Sequence, residues 1–236
     1  MTGRAVIRLL AVLLAVGMVV LGALNIVGSL GQDSKRVQHT YSGVRVVDLH
    51  VSAESVEVRE GEGDSTRLDR SITWSLRTPT LVQRQVGDRL EISSHCPFSM
   101  GRGCSGHVLL VVPSGTEVRA RSSAASVRAT GLTGVVDLSS SAGSVSGTGL
   151  RSTDVSASSS AGSTKLDFAV PPRKVDASSS AGSVEVVVPR GSAAYLVDAG
   201  SSAGSSTVAV RTDPASDRTI RAHSSAGSVQ VRYPPR

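Results

Sequence analysis

Two histidines and two cysteines fall within one short stretch: His95, Cys96, Cys104 and His107. These are donor types that a tetrahedral zinc ion accepts. Cys96 and Cys104 are also the only cysteines in the chain, so a disulfide competes for the same sulfurs. In an oxidising exterior the pair closes a short loop worth about 2–3 kcal/mol in the loop-entropy model. The compartment argued below favours the disulfide, with no metal, and leaves the two histidines as ordinary exposed residues. Between the cysteines, Gly101-Arg102-Gly103-Cys104-Ser105-Gly106 matches Gly-x-Gly-x-x-Gly. No helical pattern follows it, so it reads as a coincidence in a Gly-rich loop and not as a nucleotide cradle.

Other catalytic signals are weak. The chain has no Gly-x-Ser-x-Gly elbow and no Ser-x-x-Lys. Its five histidines, His39, His50, His95, His107 and His223, share no spacing typical of a triad or a metal site. Asp48, Asp137, Asp176 and Asp198 do share a register, described next, but Arg119, Ser156 and Arg221 interrupt it. A calcium column or a carboxylate pair for polysaccharide cleavage is therefore disfavoured. The reading is of a chain that is not an enzyme and carries no cofactor.

Residues that recur do so for architecture. Ser-Ala-Gly-Ser stands at 141–144, 160–163, 180–183, 202–205 and 225–228, with looser copies at 123–126 and 52–55. From Ala124 onward, successive copies are 18, 19, 20, 22 and 23 residues apart. Six residues before the Ala stand Val47, Val118, Val136, Val155, Val175, Val197 and Ile220, and four before it Leu49, Ala120, Leu138 and then only Ala. A polar residue separates each pair. After the Ala-Gly step the alternation resumes with its parity shifted, as in Val145 and Gly147 or Val184 and Val186. Period-two alternation is a half-buried strand. A parity shift needs a corner, and glycine tolerates the positive φ such a corner takes. Gly143, Gly162, Gly182, Gly204 and Gly227 are thus expected at structural corners with left-handed φ. Each repeat reads as strand, corner, strand and turn, with equivalent strands paired in parallel and inward serine hydroxyls bonding to backbone or to neighbouring coils. The expected fold is all-β: a parallel β-solenoid or β-roll of about 20-residue coils. An irregular antiparallel section built from the strands between residues 66 and 112 is expected between the first coil and the regular stack. At the far end, Pro234 and Pro235 are expected to stop further pairing.

Residues 9–30 form an uncharged apolar run after Arg4 and Arg8. Twenty-two residues at ~1.5 Å each reach ~33 Å, enough to cross a bilayer. The run is long for a signal-peptide core, and no clean Ala-x-Ala site follows, so it reads as an uncleaved transmembrane anchor. The positive-inside rule then leaves 1–8 in the cytoplasm, 31–43 as a linker and 44–236 as an extracellular domain. The formal net charge is +6, falling to +4 beyond the span. That favours anionic wall polymers or lipid headgroups, or an envelope protein, as partners. Two Phe, three Tyr and one Trp supply few stacking platforms for nucleic acid or sugars.

The run Val111-Val112-Pro113-Ser114-Gly115-Thr116-Glu117-Val118-Arg119, followed by repeated Ser-Ala-Gly-Ser-Val phrases, resembles a bacterial family catalogued as "putative adhesin", domain of unknown function 4097. The resemblance covers about Val44 to Arg232. It implies a β-helical or β-roll fold, often tethered behind a transmembrane segment in Gram-positive bacteria, and brings no catalytic residues. The family corner is usually Ser-Gly-Asp-Val, and this chain lacks that Asp. The function expected is a membrane-anchored, non-enzymatic scaffold or adhesion surface of the cell envelope. The alternatives are an accessory or sensory ectodomain of an envelope-stress system and, more distantly, a polysaccharide-active β-helix enzyme.

Overall fold

Alternation of small apolar and polar residues gives strands throughout. The computed structural model describes residues 32–75, 78–97 and 104–235. The expected anchor, 9–30, and the residues before it lie outside that set. Among the described residues no helix is long and apolar enough to cross a membrane, and all the regular elements are β-strands.

The first is β1 (Gln32–Ser42). Then come β2 (Val46–Val51) and β3 (Glu54–Glu60), β4 (Ser65–Ser75) and β5 (Thr80–Val86), and β6 (Arg89–His95) and β7 (Ser105–Val112). The regular repeats follow: β8 (Glu117–Ser122) with β9 (Val127–Thr130), β10 (Val136–Ser140) with β11 (Val145–Leu150), and β12 (Asp154–Ser159) with β13 (Thr164–Phe168). The last are β14 (Lys174–Ala181) with β15 (Val184–Val187), β16 (Leu196–Ala203) with β17 (Ser206–Ala209), and β18 (Thr219–Ala226) with β19 (Val229–Arg232). Each repeat gives one strand to each of two mixed sheets, of ten and nine strands. Equivalent residues face one another along the stack: Val136 pairs with Val155, Val155 with Val175 and Val175 with Ile220. The core lies between the sheets and is built from these small side chains, with Val118, Ala120, Val145, Ala177, Val184 and Val231 all at most 1% exposed.

The strand order departs from chain order at both ends. The nine-stranded sheet runs β16-β18-β14-β12-β10-β8-β2-β6-β5. The last repeat in sequence therefore sits inside, between β14–β15 and the edge pair β16–β17. Two physical differences favour that order. Inward positions of β18–β19 are Ile220, Ala222, Val229 and Val231, all 0% exposed, whereas β17 offers Ser206 and Val208. Seating the more apolar repeat inside buries more surface. The order also places Arg221 between Asp176 and Asp198, two acids that chain order would set side by side. The connection 188–195, which passes over the β18–β19 pair, and 210–218, which runs back from the edge to that pair, are longer than 131–135, 151–153 or 169–173.

At the other end β6 and β7 pair in parallel with β2 and β3, so they form a further strand pair of the stack, and the Cys96–Cys104 disulfide joins the end of β6 to the start of β7. The irregular section is thus not inserted between the first coil and the stack. It lies outside the first coil, because β2–β3 pairs directly with β8–β9. Only β1, β4 and β5 run antiparallel there. The segment expected as a linker, 31–43, holds β1, which pairs along its whole length with β4. Pro234 and Pro235 follow an inner strand and not the edge, since β19 pairs with both β15 and β17.

Candidate functional site

The corners show why small residues recur. Ser122, Ser140, Ser159, Ser179 and Ser224 point inward and are 4–5% exposed. Each hydroxyl donates across to the corner of the next coil. Ser140 bonds the Ala125 carbonyl, Ser159 that of Gly143, Ser179 that of Gly162 and Ser224 that of Gly182, each at 2.8 Å. Ser201 bonds Gly227 at 2.6 Å. These carbonyls are half-buried and take the hydroxyls as partners, so the serine column satisfies a recurrent demand of the corner.

The glycines at these corners stack directly on one another, in the order Gly143, Gly162, Gly182, Gly227, Gly204. A Cβ on Gly162 would lie 2.6 Å from the Gly143 carbonyl oxygen, and one on Gly182 would lie 2.6 Å from the Gly162 carbonyl carbon. The expected left-handed φ is absent from Gly143, Gly162 and Gly182, while Gly204 and Gly227, at 158° and 153°, lie at the margin of extended backbone. At Gly143, Gly162 and Gly182 close backbone approach, and not φ, requires glycine. Left-handed φ occurs instead in the turns, as at Gly131 and Gly149, with φ of 69° and 59°.

Outside the core the polar residues form rows along the stack. On the nine-stranded sheet, one row reads Asp48, Arg119, Asp137, Ser156, Asp176, Arg221 and Asp198 in spatial order. Arg119 and Arg221, which interrupt the acidic register in sequence, lie beside acids in space, and Arg121 and His223 from the adjoining row reach acids of this one. Arg121 Nη2 is 3.1 Å from Asp137, Arg119 Nη1 is 3.8 Å from Asp48, and His223 Nε2 is 3.3 Å from Asp198. His50 and His223 are both on this outer face, and Arg121 reaches the His50 ring at 3.2 Å. On the other sheet Glu185 lies between Lys165 at 2.9 Å and Arg232 Nε at 2.9 Å. Burial pushes the Glu185 carboxyl up, but the hydrogen bonds from Lys165 and Arg232 outweigh it and hold it below the usual range.

Cys96 and Cys104 form the disulfide, which takes both sulfurs out of the zinc reading. His107 turns instead to Ser55, with Nδ1 3.1 Å from the hydroxyl, and to Glu57. The pattern missed a buried ion pair close by. Glu54 occupies the corner position that glycine holds elsewhere, is 1% exposed, and accepts from Arg70, itself 3% exposed. Arg70 also donates to Ser94 at 2.7 Å. An arginine between Leu68 and Ile72, on the inward side of a strand, was the available signal. Gly106 makes the room, since a Cβ there would sit 3.1 Å from Glu54 Cγ.

At the same end, β1, β4 and β5 enclose an open cleft of about 430 Å³. Val37, Ile72, Trp74, Pro79 and Leu81 give it an apolar floor, and Lys35, His39 and Gln83 line it as polar groups. Gln83 accepts from the Tyr41 hydroxyl at 2.8 Å, tying the two sheets together there.

The fold resembles that of a bacterial cell adhesion protein. The crystal structure described as a putative cell adhesion protein from Clostridium sporogenes aligns with a TM-score of 0.50 and 11% identity, over 86% of this chain and 100% of that one. A putative adhesin from Bacteroides fragilis aligns with a TM-score of 0.41 and 14% identity, over 85% and 97%. No protein-family model and no curated protein matches the chain.

Proposed function

We propose that this chain is a membrane-anchored extracellular β-solenoid that acts as a non-enzymatic adhesion or binding surface of a bacterial envelope, and that it belongs to the adhesin-type β-strand-repeat family its sequence resembles. The observation that carries the reading is the outer face. Every repeat contributes equivalent polar positions to rows that stay in register along the stack, as a surface that recognises an extended partner requires. The named likeness to a cell adhesion protein rests on fold and points the same way. Arg119, Arg121 and Arg221 supply cationic points on this face for an anionic wall polymer. Cells displaying the full chain should attach to such a polymer. Arg121→Glu together with Arg221→Glu should lower attachment several-fold, and salt should lower it in the parent. Attachment that ignores both changes would remove the outer face from the account.

A second reading has one observation in its favour. The cleft beside Trp74 adjoins the start of the described chain, where a ligand could be sensed close to an anchor. Trp74 is the only tryptophan, so its emission would report an occupant directly.

A further inference from the structure

The two ends of the stack are finished differently. At the N-terminal end the chain reverses, and β1 and β5 run antiparallel to their neighbours. Their side chains bridge the sheets: Tyr41 donates to Gln83, and the Gln85 amide donates to the Ser42 carbonyl at 2.9 Å. The edge strand β1 carries Lys35, Arg36 and His39, charges of the kind that blunt natural sheet edges against further pairing.

The C-terminal end is guarded less: the connection 210–218 covers only the start of β16, where Tyr195 N–H bonds the Arg211 carbonyl and Asp213 N–H bonds the Tyr195 carbonyl, and the Ser206 hydroxyl bonds the Ala199 carbonyl at 3.1 Å. Its edge strands read Leu-Val-Asp-Ala-Gly-Ser-Ser-Ala and Ser-Thr-Val-Ala, with no Lys, Arg or Pro and one acid, Asp198, already beside His223. The core is cut open there. Val208 is 42% exposed, while Val231, which occupies the same register one coil inward, is 0% exposed. Leu196 is 42% exposed on the same strand pair. Beyond Tyr195 the backbone is open as well. Leu196 N–H bonds the Arg218 carbonyl and Val229 N–H bonds the Ser205 carbonyl. In a parallel ladder a residue's N–H and C=O face the same neighbour, alternating along the strand. Val197 and Ser201 on β16, and Ser206 and Val208 on β17, therefore turn their backbone groups to the free side.

We infer that the C-terminal coil, β16–β17, is a self-association surface whose partner is the same coil of a second copy. A two-fold axis normal to both sheets sets β16 antiparallel to its own copy and β17 antiparallel to its own copy. That arrangement satisfies both edges and covers Val197, Val208 and Leu196 together. A neutral edge favours its own copy because no like charges oppose across the axis away from Asp198. At the N-terminal end the edge strands carry Lys35 and Arg36 on β1 and Arg84 on β5, charges that oppose further pairing, so the assembly stops at two chains. This goes beyond the adhesion surface proposed above and does not depend on it, since the interface lies at the end of the stack and not on its outer rows.

The test is the mass of the full chain in detergent, by light scattering that separates protein from bound detergent, across a dilution series. The expected result is twice the 24.2 kDa chain mass. Val208→Lys should weaken the dimer about tenfold or more, while Val82→Lys, on the opposite edge strand, should leave it intact. An unchanged far-ultraviolet circular-dichroism spectrum shows that the Val208→Lys stack is still folded. As a second measurement, Thr207→Cys should give a covalent dimer on mild oxidation. A single-chain mass at every concentration overturns the inference. So does a dimer indifferent to Val208→Lys, which would place the contact elsewhere, the apolar run 9–30 included. Growth beyond two chains would mean head-to-tail stacking and would overturn it too.

Discussion

Replacing corner glycines by alanine separates close approach from backbone conformation. At Gly182, whose φ is not left-handed, alanine adds no backbone strain. Its Cβ would press on the Gly162 carbonyl, so the two coils must part by several tenths of an ångström. That stretches the Ser179 hydroxyl bond to Gly162, now 2.8 Å, and the Ala181 N–H bond to Ser160, now 2.9 Å. Overpacking costs about 1–3 kcal/mol and a weakened hydrogen bond about 1 kcal/mol, giving roughly 2–4 kcal/mol in all. In a domain of this size that lowers the melting temperature by roughly 5–15 °C. Gly227 and Gly204 form a matched pair, with φ of 153° and 158° and the same kind of carbonyl contact, so a difference between them reports position. Gly227→Ala lies in an inner coil and should cost nearly as much as Gly182→Ala. Gly204→Ala lies in the terminal coil, which can fray, and should cost about 1 kcal/mol or less. Circular-dichroism melts of the three variants decide it. If Gly204→Ala is the most damaging, or all three melt like the parent, the stacking argument is wrong.

Breaking the buried pair should be severe. Arg70→Met alone leaves Glu54 buried without its cation and should cost about 3–5 kcal/mol by denaturant titration, while adding Glu54→Leu should recover most of the loss. Glu185 sets a pH dependence. Its carboxyl is depressed in the folded chain, so its contribution is fully present above the unfolded value and is lost as pH falls through the folded one. Melts of the parent should therefore drop more steeply on acidification than those of Glu185→Gln. Reducing the Cys96–Cys104 bond should lower stability by about 2–3 kcal/mol, read by the same titration with and without reductant.

Much of the fold could be read from register alone. A Val or Ile six residues before each Ala and an inward Ser two before it mark the two core-facing columns, because parallel pairing of equivalent coils superposes like residues. Spatial order was not legible in this way, since both neighbours of β14 present the same pattern. The trace it left was the lengthening of the last two spacings to 22 and 23 residues, which a connection passing outward over one pair and another returning to it require. The left-handed corners were a wrong inference from a right observation. Glycine recurs both where φ is positive and where backbones touch, and sequence does not separate the two causes. Glu54 and Arg70 are far apart in register terms and meet only because β4 turns back along β7. The disulfide was legible from the cysteine count and the expected compartment, but its service in joining β6 to β7 was not.

The continuity of the outer rows, and with it the functional reading, depends on the last repeat sitting inside the stack. In space Ser178 lies beside His223, and His223 beside Gly200. A short thiol-specific cross-linker applied to the full chain with Ser178→Cys and His223→Cys should join the two sites efficiently. With Ser178→Cys and Gly200→Cys, which lie two coils apart, it should not. Efficient joining of the second pair and failure of the first would mean that the repeats stack in chain order, and would contradict the architecture described.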